Sequence, residues 1–375
     1  MSYIYFDQAA STKPLKEVLE VFNQISTDYY ANPSALHIAG LEAERILRAS
    51  AETISKLLHI NSEEIYFTSG GTESNNLAIN GMVKARVRTH CHIITLQSEH
   101  PSVTEVYKKL ESEGFSVTWL NGLISPEEVY ASLREDTALV SIAHVNNETG
   151  HIYDIETIAK KVKALSSAYF FADGVQGFGK LPVSLKYVDG YSFSGHKIGC
   201  IKGVGGLYLS SNCRIIPQIL GGGQQRNIRS GTENTASVAA LSKGAEIAFG
   251  AIEENQKKVS AVKNELLNLQ NQLDDVHING GSSPYILNMS FLGVKSEVLL
   301  HSLAEAGVLA SAGSACSSSK KDKEKNALYA MGYDKSIYES AIRFSFSPQN
   351  TVDEAKRAAE IIYEKVNFLR KYTRK

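Results

Sequence analysis

From about residue 60 to residue 210, short apolar runs alternate with polar, helix-like segments. The runs are EIYFT (64–68), HIITL (92–96), ALVSIAHV (138–145), YFFAD (169–173), YSFS (191–194) and GGLYLS (205–210). These nearly continuous hydrophobic stretches lack the in-and-out alternation of a half-solvated sheet, so both faces must be covered. The pattern predicts an α/β fold: a mostly parallel sheet sandwiched by helices. IETIAKKVKALSS (155–167) has the apolar spacing of one such covering helix, and Asp154 stands where its N-cap belongs.

After GGGQQRNIRSGT (221–232) the pattern changes. A stretch from about Thr235 to Leu273, rich in Ala, Glu, Lys and Leu, reads as one long helix. Then come a strand ILNMSFL (286–292), a helix at 295–307, the small-residue stretch SAGSACSSSK (311–320), a strand IRFSF (342–346) and an amphipathic helix from Thr351. This is the pattern of a smaller α+β domain joined to the large one by the long helix. We expect a large domain over 13–255 and a small one formed by 1–12 plus 256–375. SAGSACSSSK is too small and polar to pack a core, and KKDKEK (320–325) extends it as a charged run. The loop carrying Cys316 is therefore expected to be mobile.

Composition narrows the function classes. The chain has 375 residues, 43% of them apolar, enough for two cores. A net charge of −1 and the absence of any apolar run near ~18 residues argue against direct nucleic-acid binding and against a membrane span. MSYIYFDQAAST lacks the layout of a signal peptide. Four cysteines with no C-x-x-C pair speak against a disulfide framework or a zinc ribbon. A cytoplasmic protein without a metal site is expected.

In open α/β sheets ligands sit beyond the carboxyl ends of the strands. Here those ends carry SGGTESNN (69–76), QSEH (97–100), NNETG (146–150), the pair Asp173 and Gln176, and SGHK (194–197). Any one of these is ordinary turn composition; five in succession is not. SGGTES puts two glycines before a helix, whose free N–H groups and dipole form a phosphate seat with Thr72 as an added donor. GVQGFGK (174–180) fits G-x-x-x-x-G-K, but Leu181 and Pro182 follow where a hydroxyl and a helix are needed, so it is no nucleotide P-loop. Lys197 beyond one strand and Asp173 at the end of another suggest a Schiff-base lysine and a carboxylate facing a protonated pyridine nitrogen. With the phosphate seat, they describe a pyridoxal 5'-phosphate site.

At these residues the sequence resembles the group I cysteine desulfurases, the NifS/IscS-like enzymes of the class V aminotransferase family. The matching segments are FDQAAST, ANPSALH, FTSGGTESNNLAI, SEHPSV, HVNNETG, ADGVQGFGKLPV, SFSGHK, GGGQQRNIRSGTEN, SAGSACSS and IRFSF, in the family's order. The resemblance implies the aspartate-aminotransferase-like fold type I of pyridoxal phosphate enzymes. It implies that Lys197 carries the cofactor and shuttles the α-proton, that Asp173 pairs with the pyridine nitrogen, and that Gln176 faces the phenolic oxygen. His100 would stack on the ring and act in proton transfer. Gly71, Thr72, Ser194 and His196 would hold the phosphate, with Thr232 reaching it from the neighbouring subunit of a homodimer. Arg343 and Asn32 would bind the substrate carboxylate, Asn147 would lie against cofactor or substrate, and Cys316 would be the nucleophile. The implied reaction turns L-cysteine into L-alanine, leaves a persulfide on Cys316 and passes the sulfur to an acceptor. Iron–sulfur scaffold proteins and tRNA-thiolation enzymes both fit that role.

Some positions depart from the family pattern. GCIKG (199–203) replaces an aromatic residue and Gly-Pro-Lys-Gly, which brings Cys200 near Lys197 in sequence; Gln8 and Gly174 stand where Asn, Ser or Tyr and Ala are usual. KKDKEKNALYAMG replaces a more apolar, proline-containing stretch. Alternative readings are a catalytically weak scaffold or sulfur-relay relative, and a selenocysteine lyase or aminotransferase of the same fold.

Overall fold

The computed structural model describes residues 3–87, 91–313 and 327–373. Twelve strands occur among these residues. In chain order they are β1 (Ile4–Tyr5), β2 (Ile65–Thr68), β3 (His92–Leu96), β4 (Ser116–Leu120), β5 (Thr137–Ser141), β6 (Tyr169–Asp173), β7 (Gly190–Ser194), β8 (Gly205–Leu209), β9 (Val276–Ile278), β10 (Ile286–Phe291), β11 (Val308–Leu309) and β12 (Ala341–Ser345).

The main sheet has seven strands in the order β2-β8-β7-β6-β5-β3-β4. Only β8 runs against the others, pairing antiparallel with β2 and β7. Neighbouring side chains go to opposite faces, as the pleat demands. Ile94, Val140 and Phe170 join one apolar cluster, while Ile93, Leu139 and Phe171 join another. The first face is covered by helices Ile38–Leu58, Ile155–Leu165 and Thr235–Gly250, the second by Gly71–Arg86 and Pro101–Ser112. Asp154 caps its helix as expected, accepting from the Thr157 N–H at 3.0 Å. β4 is a member that the apolar pattern did not announce. SVTWL lies at the sheet edge with every position at least partly exposed, so it lacks a continuous apolar run.

A separate apolar cluster gathers β1, β10, β11, β12, the helix Ser296–Glu305 and the closing helix Val352–Thr373 around Leu287, Met289, Leu303 and Phe344. Here β10 pairs antiparallel with β12 and β9. The expected single helix from Thr235 to Leu273 is instead two helices, Thr235–Gly250 and Ile252–Leu267, with a 3-10 turn after them. Ala251 leaves the helical region (φ −131°, ψ 21°), and Gly250 just before it weakens the helix. Apolar residues before the break belong to the first cluster and those after it, such as Val259 and Val262, to the last. Among the described residues no helix is long and apolar enough to cross a membrane.

Candidate active site

The carboxyl ends of the parallel strands and the β12 strand enclose a cavity of about 490 Å³. His100, Gly71, Thr72, Asn147, Asp173, Gln176, Ser194, His196, Lys197 and Arg343 all line it. Asn32 and Thr232 do not; both are exposed, and Asn32 uses its side-chain oxygen to accept from the Ser34 N–H. Cys316 lies outside the described residues.

The phosphate-type seat is built from backbone. Helix Gly71–Arg86 starts at a Gly70 with φ 152°, and a Cβ on Gly71 would stand 2.5 Å from Val175 Cγ2. Only glycine lets the helix N-terminus approach the end of β6 this closely. Ser194 ends β7, and Thr72 and His196 complete the rim. Burial, with Lys197, Lys202 and Lys180 nearby, pushes the His196 imidazole down to about 4, so it is neutral at pH 7.

Asp173 ends β6 and is 8% exposed. Instead of a cation, it receives neutral donors: Asn75 Nδ2 at 2.8 Å and the Val175 N–H at 2.9 Å. Asn75 Nδ2 also donates to Ser102 Oγ at 2.8 Å, and Ser102 Oγ lies 2.8 Å from His100 Nδ1. Because that hydroxyl already accepts from Asn75 and Nδ1 also accepts the Ser102 N–H, the hydroxyl hydrogen points to Nδ1. The proton of the neutral His100 ring is then on Nε2. Burial lowers the His100 basicity, with Asp173 opposing, which favours that neutral form. Asn75 was not anticipated; it sits one helical turn beyond Gly71–Thr72, a spacing that could have revealed it.

Lys197 Nζ donates to the carbonyls of Ala9 (2.6 Å) and Ala10 (2.9 Å). Burial, then Arg343, brings this amine down to about 8, so more of it is free base at neutral pH than in an ordinary lysine. Arg343, on β12 and 6% exposed, donates to Asp7 Oδ1 (2.9 Å), Glu148 Oε1 (3.1 Å) and the Asn147 carbonyl (3.0 Å). Its Nε and Glu148 Oε2 are buried without partners among the described residues. Glu99, beside His100, accepts from the Ala143 N–H at 2.6 Å; burial, with Asp173 adding, raises its carboxyl well above the usual range.

The donor set suits an aromatic phosphate with a ring nitrogen and an aldehyde: backbone N–H groups for the phosphate, a carboxylate with spare lone pairs for the nitrogen, a buried amine for the aldehyde.

The departures from the family pattern have local reasons. A Cβ on Gly174 would stand 1.9 Å from Tyr191 Cζ, so the Tyr191 ring takes the space of an alanine methyl. Gly199 (φ 78°) and Gly203 (φ 81°) are left-handed, and Gly199 is bonded to Thr12 and Leu15. Gln8 is buried and reaches Asn350 Oδ1 at 3.3 Å. Cys200 is 1% exposed, does not line the cavity, and burial pushes its thiol up to about 12. It is a packing residue with almost no thiolate at neutral pH.

Residues 4–357 match the family model for aminotransferase class-V. A NifS/IcsS protein homolog of Lactobacillus delbrueckii subsp. bulgaricus is 39% identical, covering 98% of this chain and 99% of the relative. A cysteine desulfurase of Trichormus azollae is also 39% identical, over 99% of this chain and 94% of its own. A solved NifS-like protein superposes with a TM-score of 0.91 at 33% identity, covering 98% of this chain and all (100%) of that one. Full-length coverage of chain and relatives together leads to one family: the chain is a NifS/IscS-like member of the class-V aminotransferases.

Proposed function

We propose that this protein is a pyridoxal phosphate-dependent cysteine desulfurase that forms L-alanine and takes the sulfur as a persulfide on Cys316. The observation that carries this reading is the convergence of Lys197, Asp173, His100 and Arg343 on one cavity at the strand ends. Names of full-length relatives support the same activity.

Gly71, Thr72, Ser194 and His196 hold the phosphate, Asp173 the ring nitrogen, and Gln176 the phenolic oxygen. When bound, the cofactor supplies the electron sink that acidifies the α-proton of cysteine. Lys197 removes and returns that proton; as a partly free amine it can do so near neutral pH. His100 offers its Nε2 proton to the reacting group. Arg343 binds the substrate carboxylate and Asn147 lies beside it, whereas Asn32 lies outside this cavity. In the sulfur step the Cys316 thiolate attacks the substrate sulfur. An S–S bond forms, the Cβ–S bond breaks with its electron pair left on carbon, and a proton then completes the alanine methyl. Sulfur is oxidised and carbon reduced, so no outside oxidant is needed.

The active species is a cytoplasmic homodimer that passes its persulfide sulfur to an acceptor protein, an iron–sulfur scaffold or a tRNA-thiolation enzyme. Supporting the dimer, Thr232 is exposed and outside its own cavity, while Leu36 (95% exposed), Leu220 (81%) and Ile38 (77%) present apolar side chains to the surface. The proposed division is a 13–255 domain and a 1–12 plus 256–375 domain; its support is that Ile4, Phe6, Val259 and Phe344 share one apolar cluster apart from those of the main sheet.

The purified protein should be yellow and release alanine and sulfide from cysteine with a reducing thiol present. Cys316→Ser should keep the colour and lose turnover, and Lys197→Ala should lose both. Undiminished sulfide output from Cys316→Ser would sink the assignment.

A further inference from the structure

Lys180, the last residue of GVQGFGK, is 7% exposed, yet no carboxylate pairs with it among the described residues. Its Nζ donates to Gln176 Oε1 at 3.0 Å and stands 5.6 Å from the centre of the Tyr285 ring. Burial, then Lys197 and Arg343, pushes this amine down to about 7. Lys180 and Lys197 together line a second cavity of about 150 Å³. A buried amine without a counter-charge costs stability, so its retention needs a reason.

Gln176 supplies one. A lysine donor needs an acceptor, so Gln176 must turn its carbonyl oxygen to Lys180. Its Nε2 then donates to the Ala9 carbonyl at 2.9 Å, the same oxygen that receives Lys197 Nζ at 2.6 Å. A flipped amide would set NH₂ against amine and oxygen against carbonyl. The second N–H of Gln176 has no partner among the described residues, and Gln176 lines the larger cavity.

We propose that Lys180 is a positioning residue: it fixes the Gln176 amide so that one N–H serves the bound cofactor, and through the Ala9 carbonyl it steadies the Lys197 amine. This rests on the cofactor reading above. Lys197 also faces Arg343, Asp173 and Asp7, and His196 faces Lys197, Lys202 and Lys180.

The test is a pH titration of the visible absorbance of the cofactor-loaded protein, with thermal unfolding as the check on folding. The chains compared are the native one, Lys180→Met, Lys180→Arg, Gln176→Leu and the Lys180→Met/Gln176→Leu double variant. Methionine keeps the stem and removes the donor. The amide is then free to turn, the phenolic oxygen of the cofactor loses its N–H and becomes more basic, and the midpoint should rise by about 0.5–1 pH unit, the worth of one hydrogen bond. Lys180→Arg, which keeps a donor, should stay at the native midpoint. Lys180→Met should add nothing once Gln176 is leucine. An unchanged midpoint in folded, loaded Lys180→Met overturns the inference and leaves the cofactor reading intact. A shift that survives in the Gln176→Leu background does the same. A native chain that takes up no cofactor overturns the cofactor reading and this inference with it.

Discussion

The cavity has two unlike walls. On the sheet wall, Asp173 is the one charge in a relay through Asn75 and Ser102 to His100, and every hand-off has a neutral donor. On the β12 wall, Arg343 is clamped between two carboxylates, Asp7 and Glu148, so the interactions there are ionic. The sheet wall is preorganised for a group that stays. The β12 wall suits a group that comes and goes, because an incoming carboxylate can replace one the protein already provides.

The largest effect should come from breaking the ionic wall. Arg343→Ala leaves the half-buried Asp7 and Glu148 without their cation and should cost up to about 3 kcal/mol in denaturant unfolding. Adding Glu148→Gln should recover part of it; no recovery would mean the two carboxylates are not held by Arg343.

On the sheet wall the contrast is steric. Gly174→Ala forces a methyl against Tyr191 and should cost about 1–3 kcal/mol without changing the charge of the site. Tyr191→Met in that background should relieve it. If Gly174→Ala alone is neutral, the sheet wall is softer than its hydrogen bonds imply.

The smallest effect concerns Glu99, which lines the same cavity beside His100. Its folded-state carboxyl is raised, so its contribution is favourable below the unfolded value and is lost as pH rises from there toward the folded one. Glu99→Gln removes that loss. Its Tm should exceed the native one by about 1 °C at pH 8, since a chain of 375 residues spreads about 1 kcal/mol over a large unfolding entropy, with the difference vanishing near pH 4. A difference that does not depend on pH would show that Glu99 is already ionised in the fold.

Much of this was legible in the sequence, for physical reasons. Strands buried on both faces, such as YFFAD, announce themselves by unbroken apolarity, and their carboxyl ends point to the cavity because parallel sheets place ligands there. SVTWL stayed hidden because an edge strand is half solvated. The break at Gly250–Ala251 was masked by the strong helix formers after it. In the site, residues at strand ends were readable, but those reached through a third party were not. Asn75 matters only through the Asp173 and Ser102 it joins, and Lys180 only through Gln176. Asp7 and Glu148 flank Arg343 from chain segments that no local spacing links to it.

The chain's first residues carry a consequence for its birth. β1 pairs with β11, so Ile4 meets Val308 roughly 300 residues later, and the Ala9 carbonyl just beyond receives Lys197. On the ribosome, this segment must wait, unpaired, while about 300 further residues are made before it can settle against β11. The large sheet can assemble meanwhile, but the pocket closes last.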